Sequence, residues 1–448
     1  MTTPGPDPAY LLRREAELRH GLASLTEELD EWKKAAKDQA FLEKHQSQVT
    51  RATRVINAAV EHLSAPTGQH TSTPELVLDL HHVWDFFRSK LILRQNPRYR
   101  TFLGVADELA WALYKAVREA AAPHLRLTEP PLTFLNRHPV PFAAARDSSF
   151  EDLLPSGRQR TLGGRRAADH LPFPVVGIPW SASQHLPALL SVAHETGHHI
   201  EDDFQLQHTL RTHMRDGAGL PCDRTAEWER WLGEVFADAC ATLACGTAYI
   251  WTLTDALAAA GTGAGTGSGD YPPPRLRVLA CLAALPPGDL GPLPEVPGSP
   301  GPYDSEAAAV VRALIDTGLE ELGGKSLASL LALRKPQSLP SACDFLRTDK
   351  MLSRRRDVPG VLAAATLVFV DDPAHYDTKK VGERAFNEVL ELVPKGPRIT
   401  ELVKEDTLVA RDISAGRELI NHLLQSHSPQ PTSRRESVPN RDTALIWR

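Results

Sequence analysis

The sequence has few cysteines and none of the cysteine pairs that hold metal ions. Its five cysteines stand at positions 222, 240, 245, 281 and 343, and no two of them form a CxxC spacing. An odd number of cysteines without paired spacing indicates neither a disulfide framework nor a thiolate zinc site. This composition favours a cytoplasmic protein in a reducing compartment.

Long apolar runs and an excess of positive charge are also missing. Prolines and charges interrupt the amino terminus, MTTPGPDPAYLLRREAELR, where a signal peptide needs an apolar run. The most apolar later stretches, 235–253 and 358–370, contain Asp238 or are too short to cross a bilayer. The net charge of -6 is spread over both signs, so we expect neither a membrane span nor a nucleic-acid partner. The glycine-rich segment 261–270 matches no phosphate-binding motif and predicts a flexible loop.

Heptad spacing near the start of the chain predicts a helical arm, which we assign to residues 1–64. The apolar positions follow one another in steps of four and three: Leu18, Leu22, Leu25, Leu29, Trp32 and Ala36. Such spacing puts one apolar stripe along a helix. The arm either pairs with another molecule as a coiled coil, which would give self-association, or folds back on its own domain. We prefer the second interpretation.

A chain of 448 residues exceeds what one hydrophobic core usually organises, so we expect two or three packed units. After the arm, Thr73 as N-cap and Pro74 as first helical residue predict a buried helix that opens a helical region, 73–130. Pro, Gly and short apolar runs between Leu132 and Trp180 predict strands, of which FPVVGIPW (173–180) is the clearest. We divide the remainder into a core at 131–285, a helical region at 303–424 and a disordered tail at 425–448.

The chemistry of the chain centres on LLSVAHETGHHIEDDF, residues 189–204, which contains the motif HExxH. Because positions i and i+4 share one face of a helix, the imidazoles of His194 and His198 can reach one tetrahedral ion. Glu195 can then reach a water on the open fourth position. The alternative is two histidines exposed on a polar helix, and the apolar run before the motif speaks against it.

The third ligand distinguishes the classes of zinc peptidase. Metzincins require HExxHxxGxxH, which Glu201 and Phe204 exclude. In the next helical segment, EWERWLGEVFADACATLA, only Glu234 has an aspartate four residues on, Asp238, and the two lie on one helical face. A second carboxylate near a ligand can accept the other N–H of a ligating histidine.

With these residues the chain resembles the gluzincin metallopeptidases, whose HExxH helix is followed by a helix carrying a glutamate and, four residues on, an aspartate. The resemblance covers about 170–280. It implies His194, His198 and Glu234 as ligands of Zn²⁺, Glu195 as catalytic base and Asp238 as a residue that orients a ligand. It also implies that the strand before the metal helix binds substrate as an added strand, although an ordinary structural strand remains the alternative.

A further segment, YPPPRLR (271–277), looks like the HPPxxxR stretch of some gluzincins. Arg277 matches its arginine, while Tyr271 stands where those enzymes have histidine. Both are candidate catalytic residues, since a tyrosine hydroxyl can donate a hydrogen bond to a developing oxyanion. The alternative is a rigid proline turn with a surface arginine. The GAMEN element of the zinc aminopeptidases is absent, which favours an endopeptidase.

The sequence thus predicts an α+β protein, predominantly helical, with a zincin-like core and a small sheet packed on the metal helix. The expected function is zinc-dependent hydrolysis of protein or peptide substrates. Two alternatives stay open. One is a catalytically silent scaffold stabilised by zinc, and the other is coiled-coil assembly through the amino-terminal helix with an incidental metal site.

Overall fold

A computed structural model of the chain describes residues 7–64, 74–126, 128–137, 140–144, 172–259, 271–285, 291–333, 339–348, 357–399 and 405–427. Its α-helices are α1 (Pro8–Asp38), α2 (Gln46–Ser64), α3 (Pro74–Ile92), α4 (Pro97–Ala120), α5 (Leu186–Leu189), α6 (Ser191–Asp203), α7 (Gln207–Gly217), α8 (Thr225–Cys245), α9 (Thr247–Ala259), α10 (Pro274–Ala284), α11 (Ala307–Ile315), α12 (Leu327–Leu331), α13 (Leu339–Arg347), α14 (Val358–Asp371), α15 (Pro373–Thr378), α16 (Val381–Leu392) and α17 (Asp406–His427). The strands are β1 (Leu132–Asn136), β2 (Phe142–Ala144) and β3 (Val175–Pro179). The predicted α+β class, predominantly helical with a small sheet, is confirmed.

Contacts divide the described residues into two compact units. One contains α1 to α3 together with α17, and the other contains the sheet and α4 to α16. This division differs from the regions predicted from sequence, because α3 belongs with the amino-terminal arm and α17 separates from the rest of 303–424. None of the described helices is long and apolar enough to span a membrane.

In the first unit, the predicted arm folds back. Helix α1 packs against α2 and α3, and its stripe residues Leu22, Leu25 and Leu29 are buried. The indole of Trp84 on α3 donates a hydrogen bond to Glu28 on α1 over 2.8 Å. The apolar stripe that heptad spacing predicted therefore packs within its own unit.

Helix α17 joins this unit through a buried ion pair. It packs along α2, and Arg51 donates to the Asp412 carboxylate over 2.8 and 3.0 Å while Arg54 donates over 2.9 Å. A buried carboxylate needs such partners to offset the loss of water. Helix α17 extends to His427 and so includes the first residues of the tail predicted at 425–448. The remainder of that prediction, 428–448, lies outside the described part of the chain, as do Thr73 and 261–270.

The second unit is built around helices that are apolar on most sides. Val361, Leu362, Ala364 and Leu367 of α14 are buried, and α14 packs against α8, α9, α13 and α16. A helix that is hydrophobic all round fits only the interior of a domain. It therefore forms part of the core behind the elements that carry HExxH.

The sheet of the described residues has the order β1-β3-β2, with β1 parallel and β2 antiparallel to β3. Strands were predicted between Leu132 and Trp180, and all three lie there. The expectation that the strand before the metal helix adds a substrate strand is wrong, because β3 is the central strand. Its pairing groups are taken by β1 on one side and, over 175–177, by β2 on the other.

Candidate metal centre

The two helices that carry the predicted ligands pack closely together. Helix α6 bears HExxH and lies against α8, which bears Glu234. At the contact, a Cβ added to Gly197 would lie 2.8 Å from the Cα of Ala237, closer than real atoms approach. Glycine inside the motif therefore allows the helix backbones to approach until the ligands of one face those of the other.

Donor atoms of His194, His198 and Glu234 converge on one point. One donor atom of each residue lies within 4.8 Å of the other two. The Nε2 atoms of the histidines are 3.2 Å apart, and they lie 3.6 and 3.5 Å from the two oxygens of Glu234. Two imidazoles and a carboxylate at these separations make a donor set for a divalent cation. The three residues are those predicted from sequence.

Asp238 holds the ring of His194. Its Oδ1 lies 2.9 Å from Nδ1 of the histidine and accepts a hydrogen bond from that nitrogen, which leaves Nε2 to coordinate a cation. The hydroxyl of Tyr249 donates to the same oxygen over 2.6 Å, and its ring lies nearly parallel to that of His194, 14° from coplanar. The predicted orienting role of Asp238 thus has a geometric basis.

Arg277 binds both carboxylates of α8. Its Nε and Nη2 each donate to Asp238 over 2.8 Å, and Nη2 lies 3.2 Å from Glu234. Its side chain is 3% exposed, so the interpretation of a surface arginine is wrong. The expectation of a catalytic Arg277 also needs correction, because these donors serve the ligand carboxylate and its neighbour rather than a reacting carbonyl. Arg277 is a positioning residue.

Charges inside this cluster determine which groups are ionised. Burial alone would raise the pKa of Glu234, but the charge of Arg277 and the contact with His198 outweigh it and hold the pKa at about 2. Arg277 likewise outweighs burial at Asp238 and keeps its pKa well below the usual range. Burial lowers the pKa of His198, yet its contact with Glu234 raises it to about 9. The lowered pKa keeps Glu234 in the carboxylate form, which is the form that binds a cation.

Glu195 differs from the other acids of the cluster. It is 1% exposed, and neither carboxylate oxygen has a hydrogen-bond partner among the described residues. Burial raises the pKa of its carboxyl group, partly opposed by the nearby charges of His194 and His198. A buried carboxylate without a partner is costly and rare outside functional sites. The interpretation of HExxH as two exposed histidines is wrong, since His194 and Glu195 are both buried.

Two tyrosines were not placed completely by the sequence motifs: Tyr271 and Tyr249. Tyr271 is partly exposed ahead of α10, and its role as a hydrogen-bond donor stays a prediction. Tyr249 was missed by sequence reasoning. Helix α8 ends at Cys245, and Gly246 follows it with a φ of 60°, which suits glycine. Helix α9 begins at Thr247, and this turn brings Tyr249 back to Asp238. A glycine and a tyrosine within the apolar run ATLACGTAYIW were the available signal.

The residue that follows HExxH anchors its helix to the sheet. The next histidine, His199, is buried, and its Nε2 donates to the carbonyl oxygen of Val175 in β3 over 3.1 Å. This hydrogen bond connects helix α6 to the central strand.

Comparisons with protein-family models, curated proteins and solved structures give no match to this chain, so the interpretation of its centre rests on these residues alone.

Proposed function

We propose that this chain is a zinc-dependent metallopeptidase with a zincin-like core, which hydrolyses peptide bonds in protein or peptide substrates. The observation that carries the proposal is the convergence of His194, His198 and Glu234 beside the buried, unpartnered carboxylate of Glu195. A site that served only to stabilise the fold would close its coordination with a fourth ligand and would have no use for that carboxylate.

The donor set fits zinc but does not by itself select it. Two histidines and one carboxylate also bind iron(II) in oxygenases. Glu195 favours hydrolysis, because oxygenase chemistry has no need of a buried carboxylate on the ligand helix that can act as a base. The hydrogen bond that His194 donates to Asp238 and the negative charge on Glu234 are what a divalent cation requires of its surroundings.

The side chains then divide the work of hydrolysis. A bound zinc ion would polarise the scissile carbonyl and lower the pKa of a water molecule. Glu195 takes the proton of the attacking water and passes it to the leaving amine. Neither oxygen of its carboxylate has a hydrogen-bond partner among the described residues, so both are available for these transfers. Asp238 and Arg277 keep His194 and Glu234 in place throughout.

The sheet offers a place for the substrate backbone. In the described residues β2 forms one edge of the sheet, and α6 packs against it. A peptide could pair with β2 as an added strand, so we assign recognition of the substrate backbone to β2 instead of β3.

We further propose a cytoplasmic location, which the five free cysteines favour. Self-association through α1 has less support, because its apolar stripe is buried in its own unit.

Cleavage of a peptide mixture by the full chain tests this function. The zinc-loaded protein, Glu195→Gln and Glu229→Gln would each be incubated with the mixture, and new termini would be identified by mass spectrometry. Glu229 is the matched control, since it lies on α8 and pairs with Arg215 away from the ligands. We expect cleavage by the parent and the control, sensitivity to a chelator, and a loss of about 10²- to 10⁴-fold in Glu195→Gln.

The zinc content of each protein decides what a negative result means. If Glu195→Gln keeps its zinc and loses cleavage, the carboxylate acts as the base. If the parent binds one zinc and cleaves nothing, the scaffold function replaces the peptidase. If Glu195→Gln cleaves as fast as the parent, the proposed mechanism is wrong.

A further inference from the structure

A cavity of about 480 Å³ lies directly beside the candidate centre. His194 and Tyr249 form part of its wall, together with β3's end, the start of α6 and one face of α9. Its size falls within the usual range for ligand pockets. His194 is the candidate ligand that contributes to this wall, so a group bound in the cavity lies beside the ring of that histidine.

Four hydroxyl side chains belong to the lining: Ser181, which is exposed, and Ser191, Tyr249 and Thr252, whose hydroxyl protons are engaged by the protein. Ser191 donates its hydroxyl to the carbonyl of Ala188 over 2.8 Å, and Thr252 donates to Pro187 over 3.0 Å. Tyr249 donates to Asp238, as described above. With these hydroxyl protons engaged by the protein, the remaining surface is mostly alkyl: Val140, Pro141, Pro179, Pro187 and Leu253.

Charge is confined to the mouth. His185 and Asp255 belong to the lining, and both are exposed to solvent, whereas Pro187, Leu253 and His194 are buried. The cavity therefore has a polar entrance and an apolar interior. Such a recess excludes charged groups, whose loss of water it could not repay, and accepts hydrocarbon.

We infer that this cavity binds an apolar side chain of the substrate, at a residue adjoining the scissile bond. The inference rests on the metal site of the proposed function. Small residues in the wall leave the space for such a side chain, among them Ala256 on α9 and Ala182 before α5. These two alanines set the size of side chain that the cavity accepts.

A pair of peptide hydroxamates tests the inference without requiring turnover. The two compounds differ only in the side chain beside the chelating group, which is isobutyl in one and hydrogen in the other. Their affinities for the zinc-loaded full chain would be measured by calorimetry. We expect the isobutyl compound to bind roughly 10- to 100-fold more tightly, as expected for several methyl or methylene groups in an apolar pocket.

Variants of the wall provide the control. Ala256→Leu should reduce the ratio of affinities to about threefold or less by filling the cavity, with the hydrogen compound binding as before. Ala258→Leu lies on the same helix, is exposed and does not line the cavity, so it should keep the parent's ratio. Ala182→Leu repeats the test from another segment of the wall if the first variant does not fold.

The outcomes separate this inference from the proposed function. A ratio near one in the parent, or an unchanged ratio in a folded Ala256→Leu or Ala182→Leu, overturns the cavity's role even if peptides are cleaved. A ratio that follows the variants as expected supports it, even if no peptide is cleaved and the peptidase function fails.

Discussion

Removal of the guanidinium at Arg277 should destabilise the second unit more than any exposed charge change on the same helix. In Arg277→Met the apolar stem is retained, while Asp238 loses two hydrogen bonds of 2.8 Å and Glu234 loses an ion pair of 3.2 Å. Asp238 is fully buried, so its charge cannot recover these interactions from water. Breaking a buried pair costs about 3–5 kcal/mol.

Arg275→Met is the matched control. Arg275 also lies on α10 and pairs with Asp304 over 2.6 Å, but both side chains are about a fifth exposed, at 22% and 21%. Pairs of this kind contribute about 0.2–1 kcal/mol. The two substitutions remove the same group at neighbouring positions, so the difference between them isolates burial.

Hydrogen exchange of amides in α8, followed by mass spectrometry, measures the effect locally. A loss of about 3–5 kcal/mol corresponds to exchange faster by between a hundredfold and a few thousandfold. Arg275→Met should accelerate exchange by about fivefold at most. Zinc should reduce the effect of Arg277→Met, because a cation at the centre supplies positive charge to Glu234. Equal exchange in the two variants would refute the assignment of Arg277 as the partner of both carboxylates.

Three further predictions follow from the same cluster. Gly197→Ala should lower zinc affinity, because the added Cβ would meet the backbone of Ala237. The control Gly104→Ala, whose Cβ makes only an ordinary contact at 3.4 Å, should not. Competition with a chromophoric chelator would measure both affinities, and equal values would contradict close packing of α6 and α8. Asp238→Asn should weaken zinc binding about 10- to 100-fold in the same assay, and an unchanged affinity would remove its orienting role. Burial raises the pKa of Glu201 to about 7. With metal removed by a chelator, ionisation of this group should therefore lower the free energy of unfolding as the pH rises from about 4.5 to 7. Glu201→Gln should then unfold at a higher temperature than the parent at pH 8 and match it near pH 4.5; parallel curves would refute this.

The parts of the site that follow from helical periodicity could be predicted from sequence. His194 and His198 share a face because they are one turn apart, and Glu234 and Asp238 repeat that spacing on another helix. The apolar stripe of α1 could be predicted from the sequence for the same reason. In each case a local pattern determined the geometry, and only the approach of α6 to α8 was left to the tertiary fold.

Contacts between residues that are far apart in the sequence could not be predicted from it. The segment YPPPRLR made Arg277 a candidate site residue, but nothing in it shows that the guanidinium binds Asp238. Likewise, Arg51 binds Asp412, which lies 361 residues further along the chain. The order of the strands depends on how β1 and β3 meet after a long intervening segment, so the sequence did not show that β3 is the central strand. Tyr249 escaped because its role depends on the abrupt turn at Gly246, which changes the helix axis between Asp238 and the tyrosine.

If His194, His198 and Glu234 hold one zinc ion and Glu195 does not, loss of a ligand should remove the metal and loss of Glu195 should not. Metal content would be measured by mass spectrometry of the purified full chain beside His194→Ala, Glu234→Ala, Glu195→Gln and the control Glu229→Ala on α8. We expect about one zinc per chain in the parent, in Glu195→Gln and in Glu229→Ala, and little in the two ligand variants. Zinc that persists in both ligand variants, or a parent that binds none when zinc is supplied, would contradict it.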